Sequence, residues 1–149
     1  MSVFRTLYKY WVTILTAAVV LQIFLAGAGA FDTADKVDGG TVNEDSFEDS
    51  FGPHIGLGYL IFLGTLVLLL LSFGTRSRQR ILRAVASVVL LIIQILLAWT
   101  GAAVPFLLGG LHPVNAFIIL GLLGWTSYLA WKGRLDDAAP AEAASAPAA

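Results

Sequence analysis

The chain has 149 residues, 58% hydrophobic and only 13% charged, with a mean hydropathy of +0.82, whereas soluble domains carry about a quarter charged residues. A formal net charge of -1 leaves no basic surface for nucleic acid, and the lack of cysteine excludes disulfides, thiolate metal sites and thiol redox chemistry. The composition is that of a membrane protein whose chemistry must rest on histidine, carboxylates or a bound cofactor.

Taken in chain order, the first apolar stretch spans residues 11–30 behind Arg5 and Lys9. With "AGAGAF" at its end it imitates a secretory signal peptide. The run is long for that purpose, however, and Tyr8, Tyr10 and Trp11 read as an interfacial anchor, so a retained helix is expected. Residues 31–53 follow as an external acidic loop, with Asp32, Asp35, Asp38, Glu44, Asp45, Glu48 and Asp49 against Lys36 alone, a net -6. The segment reads either as a merely solvated loop or as a charge that steers a basic soluble redox partner such as a c-type cytochrome.

Further apolar stretches cover 55–73, 81–104 and 114–131, each near the roughly 20 residues a helix needs to cross about 30 Å of hydrocarbon. The expected fold is an all-α membrane protein, a bundle of four transmembrane helices within residues 1–132. Arg76, Arg78, Arg80 and Arg83 lie between the second and third stretches, and Lys132 and Arg134 follow the fourth, so eight of nine basic residues fall on one side. The positive-inside rule makes that side cytoplasmic and puts both termini there. Residues 133–149, rich in Ala and Pro, read as a disordered cytoplasmic tail.

The bundle is a two-helix repeat. "LQIFLAGAGA" from residue 21 and "IQILLAWTGA" from residue 93 agree at six of ten positions. Each is followed downstream by a histidine, a small residue four positions on, and an aromatic at five: His54, Gly58, Tyr59 and His112, Ala116, Phe117. Two copies that each cross the membrane twice share one orientation, which puts His54 and His112 at similar depth on the outer side. Pro53 and Pro113 mark the starts of the second and fourth helices.

Two readings of the histidines stand side by side. As interfacial imidazoles they would hydrogen-bond headgroups, water or the acidic loop; as a pair on facing helices they would form one ligand site. Two histidines are too few for structural zinc, which takes four protein ligands, but they suffice as axial ligands of a b-type haem. Gln22, Ala26, Gly29 and Ala30, repeated as Gln94, Ala98, Gly101 and Ala102, leave room for a flat macrocycle or let helices pack closely. Gln22 and Gln94, polar amides deep in apolar runs, are expected to bond across the pseudo-twofold axis or to a neighbouring backbone, or to touch a cofactor edge.

"LQIFLAGAG", "PHIGLGYLIFLG" and "LHPVNAFIILG" resemble one four-helix half of the haem A synthase family, and equally a small uncharacterised family of bacterial four-helix membrane proteins. The likeness covers roughly residues 11 to 132. It implies that His54 and His112 match axial haem ligands, in a bacterial or archaeal cell membrane. The chain departs from the synthase pattern in having no cysteine and in placing Phe51, not a glutamate, three residues before His54. The function expected is a membrane haem protein for electron transfer or haem handling, with haem b bound by His54, His112, Gly58, Ala116, Gln22 and Gln94. The alternative is a cofactor-free structural or assembly subunit of a larger complex, with a membrane-protein partner or a second copy beside it. No residue is assigned a catalytic role.

Overall fold

The computed structural model describes residues 3–40, 43–101 and 103–135. In chain order come α1 (Val3–Asp38), α2 (Glu44–Gly74), α3 (Arg78–Gly101), a π-helical turn at Pro105–Gly109, and α4 (Gly110–Trp131). No strand occurs among the described residues. Four helices are long and apolar enough to cross a membrane, as a multi-pass membrane protein requires.

The burial pattern explains why they associate as they do. Buried on α1 are Tyr8, Val12, Leu15 and Val19; on α2 Ile61, Thr65, Leu68 and Ser72; on α3 Arg80, Ala84, Ser87 and Leu91; on α4 Ile119, Leu123, Thr126 and Ala130. Each set advances by four, three and four residues, the spacing that keeps one seam facing its neighbours in coiled-coil-like packing. The helices close a ring in which α1 packs on α2, α2 on α3, α3 on α4, and α4 back on α1. Lipid gives helices no hydrophobic reason to associate, so small and hydroxylic seam residues that permit close contact suit such a bundle. The Thr65, Ser72 and Thr126 hydroxyls donate to the Phe62, Leu69 and Leu122 carbonyls of their own helices, so their burial leaves no donor unmet.

The seams also carry the repeat. A step of 72 positions maps α1 onto α3, taking Tyr8, Val12, Leu15 and Val19 to Arg80, Ala84, Ser87 and Leu91. A step of 58 maps α2 onto α4, taking Ile61, Thr65, Leu68 and Ser72 to Ile119, Leu123, Thr126 and Ala130. Repeat mates meet across both diagonals of the ring. The Tyr8 hydroxyl donates to the Arg80 carbonyl at 3.4 Å between α1 and α3, and the His54 and His112 rings lie 6.2 Å apart between α2 and α4.

Because the steps are 72 and 58, the second hairpin is 14 residues shorter than the first, and the extra length corrects an expectation. Most of that segment is helical rather than a loop: α1 continues through the acids to Asp38, and α2 begins at Glu44. At 1.5 Å per residue, the 36 residues of α1 reach about 54 Å, well beyond the hydrocarbon. An exposed helix hydrates carboxylates as well as a loop does, and local contacts favour it here. Lys36 pairs with Asp32 one turn away at 2.8 Å, and the Ser50 hydroxyl of α2 donates to Asp32 at 2.5 Å. Asn43 caps α2, its side chain accepting from the Ser46 amide while its own amide donates to the Ser46 hydroxyl, both at 2.8 Å.

Neither proline starts its helix. Pro113 is the fourth residue of α4, and its missing N–H takes away only the first helical bond, the one back to the Gly109 carbonyl at the N-cap. Pro53 lies deeper within α2 and cannot donate to the carbonyl of Asp49, an exposed residue. The tail expected from residue 133 also begins later. Gly133, at φ 66°, and Arg134 return N–H bonds to the Ala130 and Leu129 carbonyls, the Schellman pattern that closes a helix. Leu135 is then fully buried, its carbonyl accepting from the Ser77 hydroxyl. The rest of that tail, residues 136–149, and Ala102 of the small-residue stripe lie outside the described residues.

Candidate functional site: a paired-histidine cavity

Toward the end of the bundle nearer Asp38 and Glu44 the four seams continue at the same spacing but lose bulk. Beyond Val19 the α1 seam reads Gln22, Ala26, Gly29; beyond Leu91 the α3 seam reads Gln94, Ala98, Gly101. Before Ile61 on α2 stand His54 and Gly58, and before Ile119 on α4 stand His112 and Ala116. Small residues facing one another leave the centre unfilled, and a cavity of about 700 Å3 results, lined by all four helices. Its volume falls within the roughly 300–1,000 Å3 of small-molecule and cofactor pockets. All six residues expected at a cofactor site, His54, His112, Gly58, Ala116, Gln22 and Gln94, line it.

Close approach of the hairpin arms frames the cavity. A Cβ on Gly29 would lie 2.7 Å from the Ser50 carbonyl oxygen and 3.1 Å from the Phe51 ring; on its mate Gly101, 3.1 Å from the Gly109 Cα. Phe51 and Gly109 are themselves repeat mates. The Phe51 ring stands edge-on to the His54 ring at 6.2 Å, whereas Gly109 gives His112 no such aromatic cover.

Each imidazole is tied to the glutamine of its own repeat. His54 Nδ1 is 3.1 Å from the Gln22 carbonyl oxygen, and His112 Nδ1 is 3.2 Å from that of Gln94. A carbonyl only accepts, so both Nδ1 atoms carry the proton, and in the neutral ring both Nε2 atoms keep their lone pairs. The glutamine amides also bond within their halves rather than across the axis: Gln22 Nε2 donates to the His54 carbonyl at 2.7 Å, and Gln94 Nε2 to His112 Nε2 at 3.0 Å.

One participant escapes the sequence reading. Asn115, buried on α4, donates to the Gln94 side-chain oxygen at 2.7 Å and to the Leu90 carbonyl at 3.0 Å. The signal was its place three residues after His112, on the same helix face. Its repeat mate is Leu57, and so the Gln22 side-chain oxygen is buried with no hydrogen-bond partner. Replacing Asn115 with Leu makes the halves alike and leaves the Gln94 oxygen equally orphaned. The expected loss is about 1 kcal/mol, the scale of interhelical polar contacts in membranes, read as a lower thermal midpoint in detergent.

No group of three or more metal-ligating side chains gathers among the described residues, so the donor set here is the histidine pair. Residues 22–103, more than half of the chain, match DUF6220, a family of unknown function. The chain belongs to the DUF6220 family. The DUF6220 match takes in Gln22, His54, Gly58 and Gln94 and ends nine residues before His112. Neither a curated protein nor a solved structure matches the chain.

Proposed function

We propose that this chain is an integral-membrane b-type haem-binding protein, with His54 and His112 as axial ligands, serving electron transfer or haem handling. The observation that carries this reading is the pairing itself: the two imidazoles, one from α2 and one from α4, stand 6.2 Å apart, centroid to centroid, in one cavity lined by all four helices.

The Nδ1–H bonds to the Gln22 and Gln94 carbonyls support it independently, because metal-bound histidines commonly donate the distal N–H in this way, which fixes tautomer and orientation. A bound haem would supply a one-electron iron couple tuned by its apolar surroundings. With both Nδ1 atoms bonded to carbonyls, the two Nε2 atoms are the donors that would hold it, while Val19, Leu91, Ile61 and Ile119 line the apolar inner end of the cavity. The Gln94 amide must swing off His112 Nε2 for a metal to bind there. Kinship with one half of the haem A synthases belongs to the same proposal and rests on the three stretches that carry the resemblance, the histidine placement among them; methyl oxidation is not part of it.

The amide on His112 Nε2 also favours a second reading, a cofactor-free structural subunit in which that nitrogen is satisfied within the protein. A reduced-minus-oxidised absorption spectrum of protein from haem-replete membranes separates the two. Soret and α bands support the haem reading; a colourless protein that copurifies with membrane partners supports the other.

The proposed orientation has both termini in the cytoplasm and the acidic hairpin outside, from the eight-to-one division of basic residues. A reporter fused at residue 40 is expected to behave as external and one at the C-terminus as cytoplasmic. Cytoplasmic behaviour of both contradicts the orientation.

A further inference from the structure

The two halves of the paired-histidine cavity are alike in their small residues and unlike at the nitrogen that would meet a metal. In the first half the Gln22 amide donates to the His54 carbonyl, and His54 Nε2 has no hydrogen-bond partner among the described residues. In the second the Gln94 amide donates to His112 Nε2 itself, at 3.0 Å. We propose that the two axial positions are unequal: His54 is the fixed ligand, and His112 is the one that gives up its place on iron to a small neutral diatomic ligand, with Gln94 receiving the imidazole as it leaves. This inference rests on the haem reading and deepens it.

Asn115 makes the contact on His112 a built feature. A carboxamide has one donor end and one acceptor end. The Gln94 oxygen accepts from Asn115 at 2.7 Å, and Asn115 is anchored in turn on the Leu90 carbonyl at 3.0 Å, so the donor end of Gln94 is left facing His112. The first half has Leu57 where the second has Asn115, and Gln22 is oriented by no such neighbour. Asn115 is thus a positioning residue that acts on His112 through Gln94.

The cover over each imidazole differs in the same sense. The Phe51 ring stands edge-on to His54, whereas its mate Gly109 has no side chain to set against His112. A ring that is to leave iron needs space to turn, and the second half provides it.

The lining selects the charge of the incoming ligand. No carboxylate, lysine or arginine lines the cavity among the described residues, so an anion entering it would lose its hydration without gaining a counter-charge. A neutral diatomic avoids that cost, and at haem iron the access and polarity of the distal side decide whether such a ligand binds. In the exchange the bond from iron to His112 Nε2 breaks and a bond from iron to the ligand forms. The freed lone pair accepts the Gln94 N–H, and neither an electron nor a proton is transferred.

The test titrates the reduced, haem-loaded full chain in detergent with carbon monoxide and follows the Soret band. The wild type is expected to form the adduct. Gln94→Leu leaves His112 Nε2 uncontested, so His112 should hold iron more firmly and the affinity for carbon monoxide should fall about fivefold, the worth of one ordinary hydrogen bond. Asn115→Leu should shift it in the same direction. Ser87→Ala, buried on α3 like Gln94's seam but outside the cavity, should leave it unchanged, which separates the effect from a general loosening of the bundle. Equilibrium transfer of haem to apomyoglobin gives the second readout. His54→Ala, left with the contested imidazole, should part with haem about fivefold more readily than His112→Ala. Wild-type protein without a Soret band overturns the haem reading and this inference together. A Soret band with no carbon monoxide adduct, with an affinity indifferent to Gln94→Leu, or with equal haem transfer from the two histidine variants overturns this inference and leaves the haem reading standing.

Discussion

Replacing His54 and His112 together with alanine is expected to abolish the Soret band of the purified protein while its far-ultraviolet circular dichroism stays unchanged. Loss of a group that merely orients a metal ligand typically costs 10–100-fold in affinity, so loss of both ligands should weaken haem binding by more than about 100-fold. Either single replacement should leave one axial imidazole and a five-coordinate iron. Folding should survive because both histidines are only half-buried and stand outward of the packed seam that runs through Leu68 and Leu123. Undiminished haem binding by the double variant would mean that the pigment sits elsewhere.

The second large effect concerns two glycines of α1 that lie two residues apart, one against α2 and one in open space. Gly29→Ala should destabilise the protein by about 1–3 kcal/mol, the usual cost of overpacking. Its Cβ would meet the Ser50 carbonyl oxygen at 2.7 Å, a backbone atom that can yield only if α2 moves. Gly27→Ala, with nothing within 4 Å, should be stabilising by about 0.5–1 kcal/mol, the ordinary gain of alanine over glycine within a helix. Thermal unfolding of both variants in one detergent gives opposite signs if α1 and α2 meet at Gly29. The same displacement of α2 carries His54 away from Gln22 of α1, so Gly29→Ala should also perturb any spectrum that depends on that imidazole.

The bundle and the repeat were legible in the sequence because burial in lipid leaves periodic traces. Apolar runs near 20 residues announce helices, and Gln22 with Gln94, or His54 with His112, recur at fixed steps because two similar hairpins need the same residues on the same seam. The acidic segment was misjudged for a physical reason: composition reports whether carboxylates are hydrated, not whether their backbone is helical. What extends α1 and α2 there is local, the Lys36–Asp32 pair and the Asn43–Ser46 cap. Pro53 reads as a boundary because proline breaks intrahelical bonds, yet α2 runs through it at a point where the residue four positions back, Asp49, is exposed. Asn115 was passed over because Leu57, its mate, is apolar, and symmetry draws attention to what the halves share. Its role arises from their difference, a donor for Gln94 that Gln22 lacks.

The most direct measurement exploits the fact that His54 and His112 are the only histidines in the chain. Protein carrying a histidine-free affinity tag and 15N-labelled histidine, oxidised and examined by pulsed electron paramagnetic resonance, should give a low-spin ferric signal coupled to two labelled imidazole nitrogens of similar strength. A high-spin signal, or coupling to one labelled nitrogen or none, would contradict the placement of a single iron between His54 and His112.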